Sequence, residues 1–166
     1  SSASGLKEGD TVTIGYTNAV YNNANVDQAN KITVTGMSIT GGANANDYKL
    51  SAASYDKTGA TITKKQPTNT AKITGTNTVG QTLTATTNTE SNGEKHYQWF
   101  TATNTSGANK TNIGTDSATY IVKGSDIGKY IGVTITINEA QNYLAADAST
   151  DYTDSTNNGT AQVAAG

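Results

Sequence analysis

His96 is the only histidine in the chain, and there is no cysteine. Any nucleophile, general base or metal site must therefore be assembled from that one imidazole, hydroxyls, carboxylates and lysines. A Ser/His/Asp triad needs the imidazole beside a hydroxyl and a carboxylate. Ser91 and Glu94 are the nearest such groups along the chain, they stand in a turn, and no nucleophile elbow is present. His96 is accordingly read as an exposed strand residue. Glu90 and Glu94 flank the turn glycine Gly93 and read as solvated charge rather than as the carboxylate pair of a glycoside hydrolase. Asn44-Ala45-Asn46-Asp47 and residues 147–154 are rich in oxygen donors, but neither has the D-x-[DN]-x-[DN]-G spacing of an EF-hand loop. Turn capping by Asn and Asp accounts for both. A Lys–Asn isopeptide bond needs a buried lysine, and most lysines here stand in polar stretches. No catalytic residue, metal ligand or cofactor is assigned, and the chain is not read as an enzyme.

Composition restricts the partners. The net charge is -2, and all 11 basic residues are lysines. Without arginine there are no planar forks for phosphates or base edges, which argues against nucleic acid as a partner. No apolar run is long enough to span a bilayer, no signal peptide is visible, and Ser1–Gly5 reads as a linker or tag remnant. Hydrophobic residues make up 34% and charged residues 14%. Threonine leads the composition, glycine is frequent, and Pro67 is the single proline. That mixture favours short strands joined by tight turns.

The apolar pattern has the period of two expected for strands. Val12, Ile14 and Tyr16 alternate with polar residues. Ile32 and Val34 share one parity and Met37 and Ile39 the other, with Gly36 between them, which predicts a β-bulge at Gly36. Further strands are predicted at Tyr48–Leu50 and Ala60–Ile62. Pro67 ends this half, with a linker at residues 64–68. In the second half, strands are predicted around Ile73, Leu83, Tyr97–Phe100 and Tyr120–Val122. Ile131, Val133, Ile135 and Ile137 form the longest stripe, and 161–163 closes the domain as an edge strand. Residues 101–115 and 142–158 read as loops. The fold class is all-β, with two tandem β-sandwich-like modules.

Both halves resemble families of bacterial surface modules. Gly9-Asp10-Thr11-Val12-Thr13-Ile14, Lys31 to Gly41, Asn46-Asp47-Tyr48-Lys49-Leu50 and Ala60 to Lys65 are similar to the YDG-type repeat of bacterial adhesins. This assigns residues 1–65 to the first module, with the resemblance over 9–65. The Tyr-Asp-Gly turn that usually opens such a repeat is missing. Val79 to Ala85, Tyr97-Gln98-Trp99-Phe100, Ala118-Thr119-Tyr120 and Asp126 to Ile131 resemble a bacterial immunoglobulin-like repeat without its cysteines, placing the second, Ig-like module at 68–163. The resemblance implies an extracellular, non-catalytic module of a larger surface or secreted protein, monomeric among neighbouring domains of its own chain. Its job would be adhesion, display or spacing.

A polysaccharide, a host glycan or a host surface protein is the partner that such modules imply. In this reading Trp99 is the buried tryptophan of the sandwich, with Tyr97 on its side of the strand. His96, Gln98 and Phe100 face outward. Tyr130 occupies the corner-tyrosine position, yet its parity is that of Gly132 and Thr134, so without a bulge at Gly132 it also faces outward. Gln98, Phe100 and Tyr130 would then form an exposed ligand-binding patch. Tyr55, Tyr143 and Tyr152, in polar contexts, are further contact candidates.

Overall fold

Threonines alternating with single apolar residues favour extended chain, since β-branched side chains pack well on a pleated surface. The computed structural model describes residues 5–149 and 162–166. Its regular structure is antiparallel β, apart from single 3-10 turns at Ala45–Asp47 and Gly124–Asp126. Two units separate at the Thr63/Lys64 boundary.

The first unit holds β1 (Thr13–Gly15), β2 (Asn18–Tyr21), β3 (Lys31–Thr35), β4 (Ser38–Gly41) and β5 (Ser54–Thr58). β1 pairs with β4, and β3 lies between β2 and β5. The bulge expected at Gly36 is not there. Gly15 faces Ser38 and Asn18 faces Thr35, so the register is unbroken across the glycine, and the slip lies at Thr13/Ile14. Gly36 is instead a corner where the ribbon leaves one sheet for the other. Its φ is 64°, and a Cβ there would lie 2.0 Å from Thr17 Oγ1.

Tyr48–Leu50 and Ala60–Ile62 do not form strands. The Tyr48 hydroxyl donates to Asp10 Oδ2 at 2.6 Å, and the Tyr21 hydroxyl reaches the Thr61 carbonyl at 3.2 Å. The added strand, β5, has no apolar alternation. It is held on its polar face by Asp56, which accepts from Lys31 Nζ and Thr33 Oγ1, each at 2.8 Å. The opposite face carries the rows Ala19–Val34–Tyr55 and Tyr21–Ile32–Lys57. In this unit only Val26 and Ala29 are buried hydrophobics among the described residues.

The second unit contains β6 (Thr70–Thr74), β7 (Thr82–Asn88), β8 (Lys95–Ala102), β9 (Thr111–Ile113), β10 (Thr119–Ile121), β11 (Tyr130–Ile137) and β12 (Ala146–Ser149). The strand orders are β10-β7-β6 and β12-β11-β8-β9. The segment expected as a linker belongs to this unit. Lys64 pairs with Glu139, Lys65 pairs with Glu90 at 2.6 Å, and Pro67 is buried. The core lies between the sheets and comprises Ala71, Ile73, Leu83, Ala85, Trp99, Tyr120, Val122, Ile131, Val133, Ile135 and Val163. Outside it, Thr74, Thr84 and Thr119 form one cross-strand row on the three-stranded sheet.

Trp99 has no exposed surface. Its Nε1–H donates to the Ser117 carbonyl at 2.8 Å, and its ring stacks on Tyr120 with centroids 5.6 Å apart. Burial and the neighbouring Asp126 push the Tyr120 phenol up from its ordinary value, so it stays a donor. It gives its proton to Asp126 Oδ2 at 2.7 Å. Asp126 is buried and accepts a second bond from the Lys123 amide at 2.9 Å. Gly128, with φ 76°, completes this turn. The corner hydrogen bond is thus made by Tyr120, not by Tyr130.

Two outcomes follow for stability. Trp99→Ala is expected to cost about 3–5 kcal/mol through cavity formation, and Tyr120→Phe about 1–3 kcal/mol by leaving Asp126 short of a donor. Urea unfolding followed by circular dichroism reads both; a cost for Tyr120→Phe within error of zero would remove the Tyr120–Asp126 bond from the account. Gly36→Ala should cost about 1–3 kcal/mol from left-handed backbone strain. Pairing it with Thr17→Ala should recover only the steric part, as judged from double-variant melting curves.

Candidate functional site

The outer face of the four-stranded sheet is where the expected patch falls. β8 and β11 pair without interruption, Tyr130 opposite Ala102, Gly132 opposite Phe100, Thr134 opposite Gln98 and Thr136 opposite His96. There is no bulge at Gly132, so Tyr130 faces outward and shares this face with Phe100 and Gln98.

The patch is not the exposed ring surface that was expected. Phe100 is 2% exposed. Tyr130 packs beside it with Ala102, and Lys110 Nζ lies 3.9 Å above the ring centroid. That ammonium sits on the negative face of the ring, which is the geometry of a cation–π contact. Phe100 therefore faces outward yet is covered, because the β8–β9 connection returns Lys110 across it. Gln98 is exposed, but its Nε2 donates to the carbonyls of Trp99 at 2.8 Å and Ile113 at 3.3 Å.

The same face carries a cluster that sequence reasoning did not assemble. His96 Nδ1 lies 2.6 Å from Asp116 Oδ2. A carboxylate only accepts, so Nδ1 carries the proton. Asp116 Oδ1 also takes the Tyr97 amide at 2.7 Å, which fixes the carboxylate against β8. On the other side of the ring, Nε2 is 3.1 Å from Asn138 Nδ2 and 3.6 Å from Glu94 Oε2. Tyr97, Gln98, Thr115 and Thr136 complete a shallow pocket of about 240 Å³ around the pair. The hydrogen bond to Asp116 holds the His96 imidazole above its ordinary value, and the same bond holds the Asp116 carboxyl below its own. Asp116 lies in a polar loop with no periodic signal, so only the β9–β10 connection reveals it as the partner.

Chemically this is an oriented imidazole open to solvent, suited to exchanging a proton. Among the described residues, no three His, Cys, Asp or Glu side chains converge as a metal site requires. None of the lysines is buried, so the premise of an isopeptide bond is not met. A second pocket, of about 380 Å³, lies between Gln66–Asn69 and Ala145–Asp147. Its amides are engaged structurally. Asn69 Nδ2 donates to the Ile135 and Ala146 carbonyls at 3.1 and 3.3 Å, and Gln66 Nε2 to Ala145 O at 3.2 Å. Tyr143 is half-buried beside Lys65 through a parallel bridge. Tyr55 lies on a strand and is 54% exposed. Tyr152, and the oxygen-rich stretch from residue 150 to 154, lie outside the described residues. No helix among the described residues is long and apolar enough to cross a membrane.

The second unit thus has the strand order of an immunoglobulin-type sandwich, with A, B and E in one sheet and C, F and G plus a C′ strand in the other. Residues 1–55 match the YDG domain family, which supports the resemblance read from the motifs between Gly9 and Leu50; the motif at Ala60 to Lys65 lies beyond the match. A search of curated proteins found no match.

The pH dependence follows from the His96–Asp116 pair. A raised imidazole contributes stability that is fully present below the unfolded value of 6.5 and is lost as pH rises through the higher folded value. A lowered carboxyl contributes stability present above 3.8 and lost as pH falls through its folded value. The pair is therefore strongest between those limits. The single His resonance should titrate above 6.5 by NMR, and Asp116→Asn should bring it down towards that value. An unmoved midpoint in Asp116→Asn would contradict the geometry.

Proposed function

We propose that this chain is a non-catalytic, extracellular module of a larger bacterial surface or secreted protein, acting in adhesion, display or spacing. The observation that carries this reading is the YDG match over residues 1–55, joined to a second unit whose aromatic core is closed and whose three-stranded sheet carries a threonine row outside. The Ig-like topology of that unit supports membership among bacterial Ig-like repeats. A tightly packed sandwich with hydroxyl-rich surfaces holds its shape and gives neighbouring domains a defined separation. The low net charge leaves no long-range field to steer charged ligands.

A second reading, polysaccharide binding, rests on aromatic exposure. Covered Phe100 weakens the original patch of Gln98, Phe100 and Tyr130. Tyr55, 54% exposed beside Val34 and Ala19 on one sheet face, supplies an accessible ring instead.

Beads coated with the chain should adhere to matrix-coated surfaces above an albumin control, and soluble chain should compete. Affinity gels containing starch or other common glycans separate the second reading: retardation lost in Tyr55→Ala supports glycan binding. Turnover of chromogenic esters or glycosides that disappears in His96→Ala would replace the module reading with an enzyme.

A further inference from the structure

The His96 ring is held as a metal-ligating imidazole is held. Its Nδ1–H donates to Asp116 Oδ2 at 2.6 Å, and Asp116 is itself tied to β8 by the Tyr97 amide at 2.7 Å. A carboxylate on one ring nitrogen fixes the tautomer and the ring plane, and it raises the basicity of the other nitrogen. Nε2 therefore presents its lone pair on the side away from Asp116. Two side chains stand there. Asn138 Nδ2 is 3.1 Å from Nε2, and Glu94 Oε2 is 3.6 Å from it.

The main chain brings these three residues together. Glu94 immediately precedes β8 and lies two residues from His96, the spacing of one strand face. Asn138 directly follows β11, and its amide donates to the Glu94 carbonyl at 2.8 Å. Gly93 packs so closely on this junction that a Cβ would lie 2.0 Å from Asn138 O. The backbone is fixed, while the Glu94 and Asn138 side chains are exposed and can turn.

The spacing suits one small cation. Zinc sits about 2.0–2.1 Å from an imidazole nitrogen and about 2.0–2.2 Å from a carboxylate oxygen, so two donors on one tetrahedral ion are roughly 3.3–3.5 Å apart. The observed 3.1 and 3.6 Å bracket that separation. A half-turn about the soft terminal torsion of Asn138 exchanges its amide nitrogen for its oxygen, which turns a hydrogen-bond donor into a ligand. Imidazole and carboxylate alone fall short of three donors, and the amide oxygen supplies the third. The Glu94 and Asp116 carboxylates add negative charge on both sides of the ring.

We propose that His96, Glu94 and Asn138 form a three-donor site for a divalent transition ion of the zinc type, with Asp116 as its positioning residue and the fourth coordination position left to water. Mixed nitrogen and oxygen donors select such ions over magnesium. The site is independent of the adhesion or spacing role and stands whether or not that role does.

Zinc ion titrated into the whole chain at about pH 8, where a neutral imidazole can ligate, tests this by nitrogen-15 NMR of the single histidine. The Nε2 resonance should shift saturably, with one ion per chain, while Nδ1 keeps its proton. Magnesium at the same concentration should leave it unmoved. Glu94→Gln and Asp116→Asn should each weaken zinc binding by about tenfold. Asn138→Ala decides the role of the amide: loss of a ligand weakens binding, whereas loss of a mere hydrogen-bond donor that competes for Nε2 tightens it. The three substituted side chains are exposed, and circular dichroism checks that the fold is retained. An unmoved Nε2 at millimolar zinc, coordination through Nδ1, an equal response to magnesium, affinity unchanged in Glu94→Gln or Asp116→Asn, or affinity unchanged or tighter in Asn138→Ala would each overturn the proposal.

Discussion

The indole of Trp99 is the constraint on which the second unit depends. It is too large for a surface strand to tolerate as packing and carries one N–H that must be satisfied when buried. Both demands are met by residues brought from elsewhere in the chain: Ser117 supplies the carbonyl, and Tyr120 supplies a ring to stack on. Tyr120 in turn needs an acceptor inside the protein, and Asp126 is that acceptor. A buried carboxylate is costly unless well bonded, which is why it also takes the Lys123 amide. One buried ring thereby orients β8, β10 and the turn leading into β11.

The two units solve the burial problem differently. The second places Ile131, Val133 and Ile135 from β11 against Ile73, Leu83 and Ala85 across the sandwich. The first has comparable alternation in β3 but leaves Ile32 and Val34 only half-buried. Its order rests more on turns and side-chain ties, such as Asn22 Oδ1, which accepts from the Asn30 and Lys31 amides at 3.1 and 3.0 Å.

What could be read from the residues was the part written in apolar periodicity. The β11 stripe, the aromatic β8 strand and the burial of Trp99 are all legible that way. β5, β9 and β12 were not, because Ser-Tyr-Asp-Lys-Thr, Thr-Asn-Ile and Ala-Asp-Ala-Ser alternate weakly, and an edge strand needs only one bonded neighbour. The Gly36 bulge failed because a change of parity has two physical solutions, an inserted residue or a bend between sheets, and the pattern is the same for both. On the candidate face, strand parity correctly sent Phe100 and Tyr130 outward. It could not foresee Lys110 returning over the ring, or Asp116 meeting His96, since both partners arrive on loops whose paths are set by tertiary packing.

Two rims of the sandwich are very short, Thr111–Ile113 and Thr119–Ile121. A third, Thr70–Thr74, carries a lysine at its centre. Rims this brief or this charged make poor templates for a foreign strand. Where copies of this unit crowd together, these three strands offer no long bare ladder on which one sheet could extend another.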